Sequence, residues 1–342
     1  MKKKWGFMLL STTLIAGLLT GCGGSNSAAP ANGGAATDSQ SKVTFKLAHT
    51  GSDAHQYNLA ALAFQKALAE KSGGAMEVTI FGNGLLGSEK DAIEGTLNGT
   101  IDMTTVAGDS SLANVVPEMN LFGIPFLFEG KEHVYKVLDG EIGQSLLTKI
   151  NEKGATGLGY WEVGFRHLTS KSTEINTPED VKGLKIRVQP APIWNEFMKA
   201  LGANPTPVNF NELYSALEQG VVDGQENPIA TLMSMKFYEV QKQVALTGHT
   251  YTPAVVIASN KFMNSLNDEQ KKWVAEAVQE ATVKVREQLA TNEQASIDEL
   301  KSNGINITQP DTAAFAALTV NVAKALEDKV PQELIEKIKA AK

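Results

Sequence analysis

Gly183-Leu-Lys-Ile-Arg187-Val188-Gln189-Pro-Ala-Pro192 and, further on, Gly220-Val-Val-Asp223-Gly-Gln-Glu-Asn227-Pro228 bound the stretch whose reading decides this fold. Leu184, Ile186 and Val188 alternate with Lys185 and Arg187, which predicts a strand with one apolar face. The two prolines after Gln189 stop a ladder, so Arg187 falls at the strand's carboxyl end, the edge where open α/β sheets bind ligands. Ile193, Phe197 and Leu201, spaced by four, predict a helix stopped by Gly202. Val208 closes a short extended piece. Asn209 and Glu212 form a capping pair for a second helix through Leu213 and Leu217, ended by Gly220. Val221-Val222 then reads as a short buried strand delivering Asp223, Gly224 and Asn227 to the same edge. The result is a βαβαβ-like unit that gathers an arginine and an amide where a small anion can be held. On spacing alone, Arg187 is equally readable as the ion-pair partner of a carboxylate elsewhere in the protein.

Several motifs in fixed order go further. Gly164-Phe-Arg166, Gly183-Leu-Lys-Ile-Arg187-Val, Ala203-Asn-Pro-Thr-Pro-Val, Gly220-Val-Val-Asp-Gly-Gln-Glu-Asn227-Pro and Phe237-Tyr-Glu-Val-Gln-Lys242 together resemble the solute-binding proteins of TRAP (tripartite ATP-independent periplasmic) transporters, the dicarboxylate and sugar-acid receptor family. The likeness runs over essentially the whole chain after its leader. It implies an extracytoplasmic receptor, not an enzyme, that closes on an organic acid and delivers it to a membrane permease, with no cofactor. It also implies that Arg187 clamps the ligand carboxylate, Arg166 adds a second positive contact, Asn227 hydrogen-bonds the ligand and Phe210 lies against it. Gln189, Glu89 and His55 are expected near them, the first half contributing from His49 to Gln56, Glu89 and Thr104 to Asp109.

The chain opens with Lys2, Lys3 and Lys4, followed by a mostly apolar run from Phe7 to Leu19, the pattern of an export signal. Leu18-Leu-Thr-Gly-Cys22 resembles a lipobox, which makes Cys22 the expected site of lipidation. Cys22 is the only cysteine, so disulfides and thiol chemistry are excluded from the body of the protein. Residues 22–41, rich in Gly, Ser, Ala and Asn, read as a flexible tether. Without Lys2, Lys3 and Lys4 the chain carries 28 basic against 38 acidic residues, a net charge of −10. Such an acidic body argues against nucleic acid as a partner and requires any anion site to be a local positive concavity.

Strand and helix then alternate. Val43–Ala48 and Met76–Phe81 are strands, and Leu59–Leu68 is an amphipathic helix. Gly82-Asn-Gly84-Leu-Leu-Gly87 matches a dinucleotide-binding glycine pattern, but a lone triplet after the second strand is weak. Its structural reading is a tight turn into a helix capped by Ser88 with Asp91. Asn98-Gly-Thr-Ile-Asp102 resembles Gln219-Gly-Val-Val-Asp223, which suggests two α/β lobes built alike. Val115–Phe128 reads as core, Glu132–Ile150 as one helix, and Ala155–Trp161 as a strand leading to the first crossover at Gly164-Phe-Arg166. The resemblance implies a return near Tyr251–Ser259. Asp268 to about Ser302 is a long helix with an apolar stripe over Trp273, Val274, Ala277, Val278, Ala281 and Val285. Helices over Thr312–Lys329 and Pro331–Ala341 are expected to pack on the second lobe. The fold predicted is therefore α/β, two-lobed and periplasmic-binding-protein-like, with a long helix bracing both lobes. Its parts are a lipoprotein signal peptide (1–21), the tether (22–41), lobe I (42–163 and 253–292) and lobe II (164–252 and 293–342).

No catalytic set emerges. The five histidines show no metal-ligand spacing, and neither a nucleophile elbow nor a Walker loop is present. His249 reads as a hydrogen-bonded structural residue at the return crossover, and Trp194 as core. In sialic-acid receptors of the resembling family a carboxylate facing the sugar stands where this chain has Ala107. That implies a simple sugar acid, with a C4-dicarboxylate as the alternative. Two rival classes, a solute sensor for a membrane kinase and a secreted NAD-dependent dehydrogenase using Gly82–Gly87, stay open on residues alone.

Overall fold

The computed structural model describes residues 42–341. The predicted signal peptide, Cys22 and the tether lie outside the described residues. Among the described residues, eleven strands form two sheets: β1 (Val43–Ala48), β2 (Met76–Phe81), β3 (Met103–Ala107), β4 (Ala155–Phe165), β5 (His167–Ser170), β6 (Lys185–Val188), β7 (Asn204–Pro207), β8 (Gly224–Asn227), β9 (Gln243–Ala245), β10 (Tyr251–Ser259) and β11 (Asn306–Thr308). The first sheet runs β2-β1-β3-β10-β4 and the second β11-β9-β5-β8-β6-β7. In each, a run of parallel strands joined through helices (β2-β1-β3 and β8-β6-β7) is followed by antiparallel strands, and in the second sheet β11 adds a parallel edge to β9.

The chain passes between the sheets at three places. Arg166 separates β4 from β5, the segment after β9 leads back into β10, and the helix Asp268–Ser302 carries the chain to β11. This helix starts with a capping box between Asn267 and Gln270. Val274, Ala277, Val278, Ala281, Val285 and Leu289 seal one face of the first sheet against the helix Gln56–Lys71, and Leu300 enters a separate core of the second half with Leu213, Phe237 and Val244. One element thus packs on both halves, as its length led us to expect. A third core spans the halves, joining Phe122 and Val255 to Ile186, Trp194 and Phe197.

Four local expectations need correction. Glu132–Ile150 is two helices, Lys131–Asp139 and Glu141–Asn151, because Gly140 takes an extended conformation (φ −91°, ψ −168°). Thr312–Lys329 is helical only over Thr312–Thr319 and in a 3₁₀ turn at Lys324–Leu326. These two pieces pack near the helix Pro192–Ala200 of the second half, but the last helix, Gln332–Ala340, also reaches the first half, where His133 Nε2 meets the Ile338 carbonyl at 2.8 Å. Val221-Val222 is not a strand: Val221 is exposed and the strand is Gly224–Asn227, every residue of it buried. Finally, Asn209 caps no helix. The segment after it begins as a 3₁₀ turn at Phe210–Glu212, and the Asn209 side chain reaches only Glu212 Oε2, at 3.4 Å.

Candidate functional site

The crossover between β4 and β5 carries Arg166, and β8, paired antiparallel to β5, presents Glu226 and Asn227 beside it. Arg166 lies in a bidentate ion pair with Glu226: its Nε donates to Oε2 and its Nη2 to Oε1 at 3.0 Å. The same Nη2 donates to the Glu226 carbonyl (2.7 Å) and to Asn227 Oδ1 (3.0 Å), while Nη1 reaches Thr252 Oγ1 at 3.3 Å. Its guanidinium lies 5.3 Å from the centre of the Trp194 ring. Burial alone would lower the Arg166 pKa and raise that of Glu226. Their pairing outweighs it, holding Arg166 above and Glu226 below the ordinary value. His249, buried, approaches Glu226 Oε2 at 3.4 Å and Thr247 Oγ1 at 2.7 Å.

Arg187 behaves differently. The parallel pairing of β6 with β7 and β8 sets it at the carboxyl end of the second sheet. It is 1% exposed, its Nε donates to the Val208 carbonyl at 2.9 Å, and its Nη1 has no hydrogen-bond partner among the described residues. Burial, with Arg166 nearby, pulls its pKa down to about 10 against the opposing fields of Glu226, Glu89 and Asp109. A buried guanidinium nitrogen without an acceptor is costly, and an anion is the group that relieves it.

The first half faces these arginines with acids and rings. Ser88 and Asp91 form the expected capping box, and Glu89 opens that helix. Glu89 Oε1 accepts from the Tyr57 hydroxyl and the Ala107 backbone N–H, each at 3.1 Å, and burial raises its pKa against these bonds and that of Ser110. His55 caps the helix Gln56–Lys71 through Nδ1, which accepts the Tyr57 N–H at 3.1 Å, so its remaining proton sits on Nε2. Burial drives its pKa to about 3. Its ring stands edge-on to Phe210, with centres 5.4 Å apart, so those two predicted residues meet across the halves.

Asp109 and Thr252 complete the cluster. Asp109, just past the carboxyl end of β3, accepts from Thr252 Oγ1 at 2.6 Å and from Gln189 Nε2 at 3.2 Å, while its backbone carbonyl accepts from Trp194 Nε1 at 2.8 Å. Trp194 is core, as expected, yet its indole N–H also closes this seam. Gln56 to Thr231 (2.7 Å), Ser52 to the Ser234 carbonyl (2.9 Å) and Asn114 to the Pro190 carbonyl (2.7 Å) tie the halves further. A groove of about 370 Å³ lined by Lys90, Ser111, Asn114, Pro190 and Asn209 follows the same seam. Of the residues predicted from sequence, Arg166, Arg187, Gln189, Asn227, Glu89 and His55 fall in one buried polar layer between the sheets, with half-buried Phe210 against His55 at its edge, and Cys22 lies outside the described residues. Sequence reading missed the individual parts of Glu226, Thr252 and Tyr57, and it placed Asp109 only within a stretch. The available signal for Asp109 was an acid at the carboxyl end of a parallel strand.

The family model for bacterial extracellular solute-binding protein, family 7, matches residues 47–329. The chain belongs to this family. It is 36% identical over 298 residues to the 2,3-diketo-L-gulonate-binding periplasmic protein YiaO of Escherichia coli, an alignment covering 86% of this chain and 90% of that one. Among solved structures, a TRAP periplasmic solute-binding protein from Polaromonas bound to D-erythronate superimposes with a TM-score of 0.85 at 36% identity, covering 87% of this chain and 99% of the other. Another, from Sulfurospirillum deleyianum with bound succinate, gives 0.84 at 34% identity, covering 88% and 100%. The fold is thus the two-lobed one of TRAP solute-binding proteins, and the family is a solute-binding component of transport located outside the cytoplasm.

Proposed function

We propose that this protein is the receptor of a TRAP transporter, that it closes on an organic acid through the ligand's carboxylate, and that the acid is a sugar acid. The observation that carries this reading is Arg187, fully buried at the carboxyl edge of β6 with Nη1 unpartnered. Guanidinium keeps its charge when desolvated and offers a two-pronged fork to carboxylate. In this reading Arg187 is the clamp, Asn227 and Gln189 add hydrogen bonds, and His55 and Phe210 wall the ligand. Arg166 acts mainly by holding Asn227 and Glu226. The residues 42–163 with 253–292 and 164–252 with 293–342 move as two lobes about the crossovers at Arg166 and before β10. The permease receives the ligand when they open. Cys22 carries the lipid that anchors the protein outside the cytoplasm, residues 22–41 serving as the tether.

Titration calorimetry tests the clamp. Arg187→Ala should lose about 2–5 kcal/mol of binding because the ligand carboxylate is then unpaired in a desolvated site, and Arg187→Lys should also bind poorly. Tight binding of a neutral sugar with no response to any carboxylate would overturn the reading. The anchor is tested by mass spectrometry of the N-terminal peptide: acylated Cys22 is expected, and Cys22→Ser should leave the leader unprocessed.

A further inference from the structure

Glu89 and Asp109 stand opposite the arginines, within their fields but in direct contact with neither. They are 7% and 0% exposed, and neither is in an ion pair with a described cation. Arg166 is committed to Glu226 by two bonds. Among the described residues buried in this layer, that leaves one cation, Arg187, against these two carboxylates. Their present donors are few: Tyr57, the Ala107 N–H and Ser110 for Glu89, Thr252 and Gln189 for Asp109. A carboxylate has about four acceptor positions, so both keep lone pairs for a further donor.

These deficits have one common solution. The unpartnered Arg187 Nη1 needs an anion, and the two acids need hydroxyl donors. A second carboxylate would bring no proton to donate and would add like charge in a desolvated site. We infer that the site selects a polyhydroxy monocarboxylate over a dicarboxylate of the same carbon skeleton, and that Asp109 is the residue that sets this preference. The inference rests on the carboxylate-receptor reading given above. Asp109 is the better lever of the two acids because its carboxylate accepts from side chains alone, whereas Glu89 also holds the Ala107 backbone N–H. Because Asp109 is held by Gln189 from the second half and by Thr252 beside the return crossover, its charge is fixed at the seam.

The test is calorimetry on the full mature protein at mildly alkaline pH, where Asp109 is ionised, using two matched ligand pairs. D-galactonate and galactarate differ only in a terminal hydroxymethyl against a second carboxylate. D-erythronate and meso-tartrate differ in the same way and cover the shorter ligands. The monocarboxylate of a pair should bind more tightly than its diacid by roughly ten- to hundredfold, the range of one hydrogen bond to a charged group. In Asp109→Asn, whose amide still accepts from Thr252, the monocarboxylate should weaken and the ratio between the pair should shrink by roughly tenfold. Thermal melting without ligand checks that this variant is folded, and Asp109→Ser serves if it is not. Diacids binding as tightly as monoacids, or a ratio unchanged in the folded variant, would overturn the inference while leaving the receptor reading standing. If none of the four acids binds, both fall together.

Discussion

Asn98-Gly-Thr-Ile-Asp102 in the first half and Gln219-Gly-Val-Val-Asp223 in the second fold alike. Each follows a helix and turns through a glycine in the left-handed region, with φ of 75° at Gly99 and 71° at Gly220. Each ends on an aspartate whose carboxylate accepts the backbone N–H of a strand lysine, Asp102 from Lys46 and Asp223 from Lys185, both at 2.8 Å. After these matched corners the halves diverge. The first continues into Met103-Thr-Thr-Val-Ala107 and the second into Gly224-Gln-Glu-Asn227, and both strands are buried throughout. One frame therefore supports two contents: hydroxyls and aliphatic groups on one side, and an amide–carboxylate–amide ladder on the other. The fixed charges of the site hang on the second half, and the first half supplies acids from the loops and the helix start just beyond its strands.

The sharpest break of that comparison is between the two arginines of the second half. Arg166→Met strips Glu226 of its bidentate partner and should destabilise the unliganded protein by about 3–5 kcal/mol. Arg187→Met gives up one bond to a carbonyl and an unpartnered nitrogen, so it should cost less than about 1 kcal/mol while removing ligand binding. Urea unfolding of both variants reads the difference. Equal losses would mean that both arginines serve the fold and that the clamp has been misplaced.

The next largest effect lies in the first half and depends on pH. The folded pKa of His55, about 3, lies below the ordinary 6.5. As pH falls, the unfolded chain takes up the proton first, so stability is present above about pH 6.5 and drains between there and pH 3. His55→Asn keeps a helix-capping oxygen and removes that titration. Between neutral pH and pH 4 the variant should lose less stability than the wild type, by on the order of 3 kcal/mol. Parallel pH–stability curves for the two proteins would show that the imidazole is solvated.

Strand limits at Val43–Ala48 and Met76–Phe81, the capping box at Ser88, and the long helix with its stripe were all legible because each shows either an apolar period or a cap of known chemistry. β8 was misplaced by three residues for the opposite reason. Periodicity detects strands that face apolar core, and Gly224-Gln-Glu-Asn227 is buried against an ionic network instead. The single helix expected over Glu132–Ile150 runs through Gly140, whose backbone is extended and divides it in two. In the site, Arg187, Arg166 and Asn227 were found through motif order. Asp109 was placed only within a stretch and Thr252 escaped, because the antiparallel pairing of β10 with β3, which no local pattern announces, is what brings residues so far apart in sequence to 2.6 Å.

The matched aspartates offer a smaller test. Asp102→Ala and Asp223→Ala each leave a lysine backbone N–H without its carboxylate, and each should cost about 1–2 kcal/mol in urea unfolding. Similar values would support one corner used twice. A neutral change at one position would mean that the likeness there is of shape and not of energetics.

The smallest effect expected is at Asn209, and it is informative for being small. By sequence, Ser88 and Asn209 play the same part, each opening the helix that follows the second strand of its half. Structurally, Ser88 accepts the Asp91 N–H at 3.3 Å and has its own N–H bound by Asp91 Oδ2 at 2.8 Å, whereas the Asn209 side chain bonds no backbone N–H. Removing a working cap costs about 1 kcal/mol, so Ser88→Ala should lose roughly that much. Asn209→Ala gives up one long contact to an exposed Glu212 carboxylate and should stay within about 0.5 kcal/mol of the wild type. A loss at Asn209 equal to that at Ser88 would show that a true cap forms in solution and that the first turn of this segment is α-helical, restoring the symmetry between the halves.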